Sequence, residues 1–269
     1  SYYRRLLPLL PDEEQIDVML KLGQVLERVG EWQEAHQLYQ QAHDVAESLH
    51  DPHAQARCYM AIGELFRKQG QYDDASLWLQ RAQLGFENLE DQKGVGQVLH
   101  YAGTLASQQG EYDVGNVLYE ESLEIRRALG DKLNIANLLN NLAINARRRG
   151  HNDKARSLHE EALSIRREIG DRFAIAVSLN NLGNIFVDEG DYAKAVDLLE
   201  EAVNLQREVG DKWYIANSLN NLGNAVREMG DYEKAHRLYH ESLNLNYQLG
   251  DRRALAYLFE DIGCTFAKQ

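Results

Sequence analysis

Glycine is placed at a fixed interval in this chain. Gly30, Gly70, Gly110, Gly130, Gly150, Gly170, Gly190, Gly210, Gly230 and Gly250 account for half of the twenty glycines. Shifting the sequence against itself by 40 residues brings Tyr72, Tyr112, Tyr192 and Tyr232 together, with Trp32 and Asn152 in the same position. Ala35, Ala75, Gly115, Ala155, Ala195 and Ala235 share a second position, and Gly23, Gly63, Gly103, Ala143, Gly183, Gly223 and Gly263 a third. A sustained period of this length demands similar units stacked in a row, each too small to bury its apolar face alone.

One unit, residues 171–210, shows what is repeated. Ile175, Ala176, Leu179, Leu182, Gly183 and Phe186 recur at helical spacing, and so do Tyr192, Ala195, Val196, Leu198, Leu199, Ala202 and Leu205. Gly190-Asp191 separates the two patterns and Gly210-Asp211 ends the unit. Glycine accepts the left-handed conformation that closes a helix, and an aspartate after it can cap the next one. Each Gly-Asp pair therefore reads as a stop followed by a start. Gly183 and Ala195 are expected to let the two helices approach closely, and bulky replacements to cost about 1–3 kcal/mol. Arg166, Arg167 and Arg207, near the ends of second helices, are expected to sit there because a cation suits the helix dipole.

Composition narrows the function classes. Against 29 Lys and Arg stand 42 Asp and Glu, a net charge of −13 over 269 residues, which argues against broad phosphate binding and hence against nucleic acid as a partner. Two cysteines, Cys58 and Cys264, cannot build a disulfide framework and fit a reducing compartment. The apolar runs are far shorter than a membrane span. The expected setting is cytoplasmic, without membrane contact. Neither a phosphate-binding loop nor a Gly-x-Ser-x-Gly elbow occurs. His236 and His240 have a metal-compatible spacing but no third ligand or glutamate signature. An enzyme, a metal site and a cofactor are therefore not expected. Trp32, Trp78 and Trp213 are read as packing residues.

Leu182-Gly183 and Leu222-Gly223, followed by Gly-Asp-Tyr-x-x-Ala at Gly190 to Ala195 and Gly230 to Ala235, resemble the tetratricopeptide repeat. The usual unit of that family has about 34 residues. The 40-residue form resembles repeats of kinesin light chains, of Pins-type spindle-orientation adaptors, and of bacterial regulators built on signalling NTPases. The resemblance implies an all-α, right-handed superhelical solenoid of antiparallel helix pairs. Its units run about 12–50, 51–90, 91–130, 131–170, 171–210 and 211–250, with a half repeat at 251–269. Leu255, Leu258, Ile262 and Phe266 in that half repeat still read as core, and Tyr2 to Leu10 is an apolar stretch with no repeat around it. Solenoids normally end in polar caps. The expectation is a single solenoid excised from a longer protein, with self-association through its uncapped ends.

The resemblance also implies which helix face meets a partner. The stripe opposite the apolar face carries Asn137, Asn140, Asn141, Ile144, Arg147 and Arg148 in the fourth repeat. The fifth carries Val177, Asn180, Asn181, Asn184, Val187 and Asp188, and the sixth Asn217, Asn220, Asn221, Asn224, Arg227 and Glu228. In the family these positions line a concave groove that holds extended peptides, and paired asparagines in kinesin light chains are similar. Asparagine inside a helix costs roughly 0.6 kcal/mol relative to alanine, so something must offset ten of them. One account is a ladder of amides matched to a peptide backbone. The other is hydrogen bonding between adjacent helices that fixes their stacking. Both can hold, because the two amides of a pair point to different neighbours. The same stripe supplies Arg67 and Lys68 in the second repeat. With Arg147, Arg148 and Arg227 these point to an acidic or carboxylate-bearing segment, unless the cations are paired with Glu64, Asp188 and Glu228. The leading expectation is a protein-interaction module. The alternative is the sensor or regulatory arm of a larger signalling NTPase or transcriptional activator.

Overall fold

The computed structural model describes residues 10–268, so Leu10 alone of the apolar N-terminal stretch is seen. Among the described residues there are thirteen α-helices and no strand. They are α1 (Asp12–Arg28), α2 (Trp32–Ser48), α3 (Pro52–Lys68), α4 (Tyr72–Asn88), α5 (Gln92–Gln108), α6 (Tyr112–Ala128) and α7 (Lys132–Arg148). There follow α8 (Asn152–Ile169), α9 (Arg172–Glu189), α10 (Tyr192–Val209), α11 (Lys212–Glu228), α12 (Tyr232–Leu249) and α13 (Arg252–Lys268). Odd-numbered helices open the repeats and even-numbered helices close them, which is the all-α architecture expected from the period.

The turns work as the sequence implies, with one difference. All ten glycines at multiples of ten have positive φ, from 67° at Gly130 to 88° at Gly230. His50 and Glu90 hold the same place with φ of 53° and 55°. Aspartate caps occur at every described start of α3, α5, α9 and α11, for example Ala174 N donating to Asp171 Oδ1 at 3.0 Å. Within the first four repeats the turn residue is Glu31, Gln71, Glu111 or His151, and none of these caps the following helix. The Gly-Asp device is thus complete only in the later repeats.

Packing follows the same period. A Cβ added to Gly183 would lie 2.6 Å from the Leu199 side chain, and one on Gly223 would lie 2.5 Å from Tyr239. The missing side chain is what lets a large residue of the second helix sit against the first. Trp32 and Trp78 pack on the core, but Trp213 is 48% exposed and stands edge-on to Tyr214, contrary to the reading of all three as packing residues. In α13 Leu258 is buried while Phe266 is exposed, with the His236 ring 4.4 Å away.

The chain divides into two compact units that meet in sequence between Asp131 and Lys132, at the boundary between the third and fourth repeats. Inside each unit the first helices of successive repeats touch one another, α1 with α3 and α3 with α5, and α9 with α11 and α11 with α13. No pair of second helices touches to that extent. First helices therefore form the inner, more crowded row of each stack.

Candidate functional site

The asparagine stripe lies on this inner row, entirely within the second unit. Its amides are cross-linked from repeat to repeat. Asn181 Nδ2 donates to Asn140 Oδ1 and Asn221 Nδ2 to Asn180 Oδ1, both at 3.0 Å and both over 41 residues. The second asparagine of a pair thus reaches back to the first asparagine of the preceding repeat. Asn180, 8% exposed, also accepts from Ser218 Oγ at 2.8 Å. Asn221 makes a longer bond to Asn217 Oδ1, Tyr239 donates to Asn224 Oδ1, and Arg166 donates to Asn137 Oδ1 at 3.2 Å. Asn141 is also engaged. Asn184 is half-buried, and Asn220 Oδ1 is buried without a partner.

These bonds have a common polarity. Arg166 can only donate, so it holds the Asn137 amide with its oxygen inward. Asn140, Asn180, Asn217 and Asn224 likewise accept through oxygen. Asn137, Asn140, Asn180, Asn217 and Asn224 thus retain their NH2 groups while Asn220 alone of the row's first asparagines keeps an unmatched oxygen, so the row is richer in donors than in acceptors.

The basic side chains are in place, but Arg67, Lys68, Arg147 and Arg227 each have carboxylate company. Arg147 makes a two-pronged contact with Asp188, at 2.6 and 3.2 Å. Arg227 lies between Glu228 and Asp261, at 3.1 and 3.3 Å. In the first unit Arg67 grips Glu64 through two bonds of 2.7 Å and reaches Gln108 at 2.8 Å, while Lys68 is 2.6 Å from Glu27. Arg148 too has an interaction partner. The contacts of Arg147, Lys68 and Gln108 across repeats repeat the 41-residue offset of the amide bonds. One stacking register therefore places amides against amides and cations against acids.

Two features escape a reading of the sequence. The first unit has a cavity of about 430 Å³ bordered by Glu27, Tyr39, Met60, Glu64, Lys68 and Tyr101. Glu27 is buried there, taking hydrogen bonds from Tyr39 and Lys68, and burial together with the Glu27 carboxylate holds the Tyr39 hydroxyl far above its usual range. The second feature corrects the helix-dipole account of Arg166. Its side chain is buried, 4% exposed, and donates to Ser178 Oγ at 2.6 Å and Ala174 O at 3.2 Å as well as to Asn137. Burial lowers its affinity for the proton, and Asp171 offsets part of that. Arg167 and Arg207 stay at the surface, paired with Glu201 and Glu241. The signal for Arg166 was its period mate Arg126, also buried.

A sequence model described as "Tetratricopeptide repeat" matches residues 14–83, 94–168 and 174–248. No curated protein is similar to the chain in sequence. Among solved structures it is similar to the Signal Transduction ATPase with Numerous Domains protein PH0952 from Pyrococcus horikoshii, which has a tetratricopeptide repeat sensor. That match has a TM-score of 0.74 and 16% identity, covering 99% of this chain and 43% of that one. The quorum sensor NprR from B. thuringiensis gives a TM-score of 0.72 at 16% identity, over 93% of this chain and 70% of its own. A Rap protein complexed with Competence and Sporulation Factor gives 0.69 at 17%, over 96% and 77%.

Proposed function

The chain belongs to the tetratricopeptide repeat family, and on that premise we propose that it is a non-enzymatic interaction module holding an extended peptide or protein segment along its inner helices. The observation that carries this reading is the polarity of the asparagine row. Amide oxygens are tied into the helix stack by bonds such as Asn181 to Asn140, so the NH2 groups of Asn137, Asn140, Asn217 and Asn224 remain for a ligand. An extended backbone presents the acceptors such donors need. Stacking and ligand binding are then two uses of the same amide.

Arg147, Arg148 and Arg227 border this row and favour a segment bearing Asp or Glu. Such a ligand competes with Asp188 and Asp261 for the guanidinium groups, so the gain in affinity is modest and falls with added salt. Similarity to the sensor-bearing ATPase and to NprR supports a second reading, in which the same row serves as the sensor arm of a larger regulator. Both readings use the same chemistry. A cytoplasmic setting fits two cysteines that are both free thiols.

Peptide-display selection against the chain, followed by an Asn184→Ala/Asn224→Ala variant, tests the proposal. Selected peptides should lose at least tenfold in affinity, with only a modest fall in Tm, because Asn224→Ala removes the acceptor that Tyr239 uses while alanine is the better helix former. Undiminished binding would sink the idea. A marked fall in Tm with binding retained would assign the row to helix stacking alone.

A further inference from the structure

One position of the second helix decides what lies between successive first helices. It is Arg126 in the third repeat, Arg166 in the fourth, Gln206 in the fifth and Asn246 in the sixth. Arg126 donates to Asp131 Oδ2 at 3.0 Å and to Gln97 Oε1 at 2.9 Å. Arg166 donates to Asn137, the period mate of Gln97, and to the Ala174 carbonyl, with Asp171 in the place of Asp131. The chain thus shows twice how this stack holds a guanidinium group. In the fifth repeat the mate of Gln97 is Val177, which offers no acceptor. There the position is a glutamine whose two amide atoms are buried without partners.

The sixth repeat breaks the pattern. Its acceptors are restored, with Asn217 in the place of Asn137, Asp251 in the place of Asp171 and Ala254 in the place of Ala174. The side chain that should meet them is the short Asn246 instead of arginine. A cavity of about 160 Å³ fills the difference, bordered by these residues. Asn246 is 4% exposed and its NH2 group is taken by Ser242 O and Oγ, which leaves an oxygen as its remaining group. Asn220 Oδ1, on the same cavity, is buried without a partner. The cause is visible in the period: Asn181 and Asn221 serve the equivalent oxygens of earlier repeats, but their next mate is Asp261, which has no NH2 to give. Trp213 and Tyr257, 48% and 54% exposed, stand on the rim.

We propose that this cavity is a receptor for a guanidinium group, filled by an arginine side chain of a bound polypeptide. A planar cation with five donors matches a cluster of acceptors that contains a carboxylate, and it stacks on aromatic rings. The same space is occupied in two earlier repeats by the chain's own arginines, so the ligand supplies in trans what Asn246 does not. The site stands apart from the choice of acidic segment above and does not rest on it, since it needs only the acceptors and the cavity.

A blocked Gly-Gly-Arg-Gly-Gly peptide is the probe, its citrulline counterpart the neutral control of equal shape, and free L-arginine a third arm. Titration followed by NMR should shift the Trp213 indole and the Asn220 side-chain amide saturably, with citrulline at least tenfold weaker. Binding of free arginine equal to that of the peptide would keep the guanidinium receptor and make a small molecule its ligand. Asn246→Arg should fill the cavity from within, abolish the peptide shifts and leave Tm equal or higher. Trp213→Ala, at an exposed position, should weaken binding in a folded protein. Equal shifts by citrulline, shifts confined to other residues, no shifts, or an Asn246→Arg chain that fails to fold would each overturn the proposal. The Asn184→Ala/Asn224→Ala variant leaves this cavity intact, so the two readings fail separately.

Discussion

His159 sits where the other repeats place Tyr39, Leu79, Tyr119, Leu199 and Tyr239. The tyrosines reach inner-row partners, Glu27, Thr104 and Asn224. The equivalent of Thr104 and Asn224 in the fourth repeat is Ile144, and His159 Nδ1 is buried without a partner. Burial, and then the charges of Arg166 and Arg147, push its pKa down to about 3. An unfolded histidine takes up a proton near 6.5, so between these values the unfolded state binds more protons and stability rises with pH. The contribution is complete above about pH 6.5 and is lost as pH falls towards 3, at no more than about 1.4 kcal/mol per pH unit. His100, lowered to about 4 mainly by burial, acts in the same direction. His159→Leu, which installs the side chain used at Leu79 and Leu199, should reduce the loss of stability between about pH 7 and about pH 5 by roughly half. Urea denaturation at several pH values measures it, and an undiminished slope would remove His159 from the acid response.

At the level of the element, the helix ends were legible because glycine and the period mark them directly. Where glycine is missing, the geometry persists at a cost. Glu90 holds a φ of 55° in the turn after α4, a conformation that disfavours a residue with a Cβ by roughly 1–2 kcal/mol. Glu90→Gly should therefore stabilise the chain by about 1 kcal/mol after the entropy of glycine is deducted, seen as a raised Tm in a thermal melt. A lowered Tm would mean that the Glu90 side chain has a role beyond the turn. What the helix pattern could not give was the partner of each polar side chain. Arg166 stands near the end of α8, where a dipole role is the natural reading, yet its stem runs back between α7 and α9 to atoms 8 to 29 residues away in sequence. The pairing of Arg147 with Asp188 was foreseeable as a choice of charges on one face. The 41-residue register that selects it is a property of the stack.

For the whole molecule, the solenoid came from the resemblance to the tetratricopeptide repeat, and the period with the helical spacing inside it marked a row of helix pairs. The period was silent on the partner, because one fold serves many ligands and recognition rests on a few side chains. It also did not mark the division at Asp131 and Lys132, where the spacing continues unbroken. In a repeat array stability is close to a sum of unit terms and nearest-neighbour interfaces. A cut at a repeat boundary therefore leaves the interfaces within each part intact. Residues 132–269 contain the asparagine row and a core built on Phe186, Leu199, Leu219, Leu222 and Tyr239. That fragment should fold alone, with a helical circular dichroism spectrum and a cooperative melt below that of the full chain. A coil-like spectrum would show that the N-terminal repeats are needed to form the second unit. If the fragment folds and binds the selected peptides as tightly as the full chain, Arg67 and Lys68 have no part in recognition. If it folds and binds at least tenfold more weakly, the first unit supplies ligand contacts, and these two cations are the first to replace.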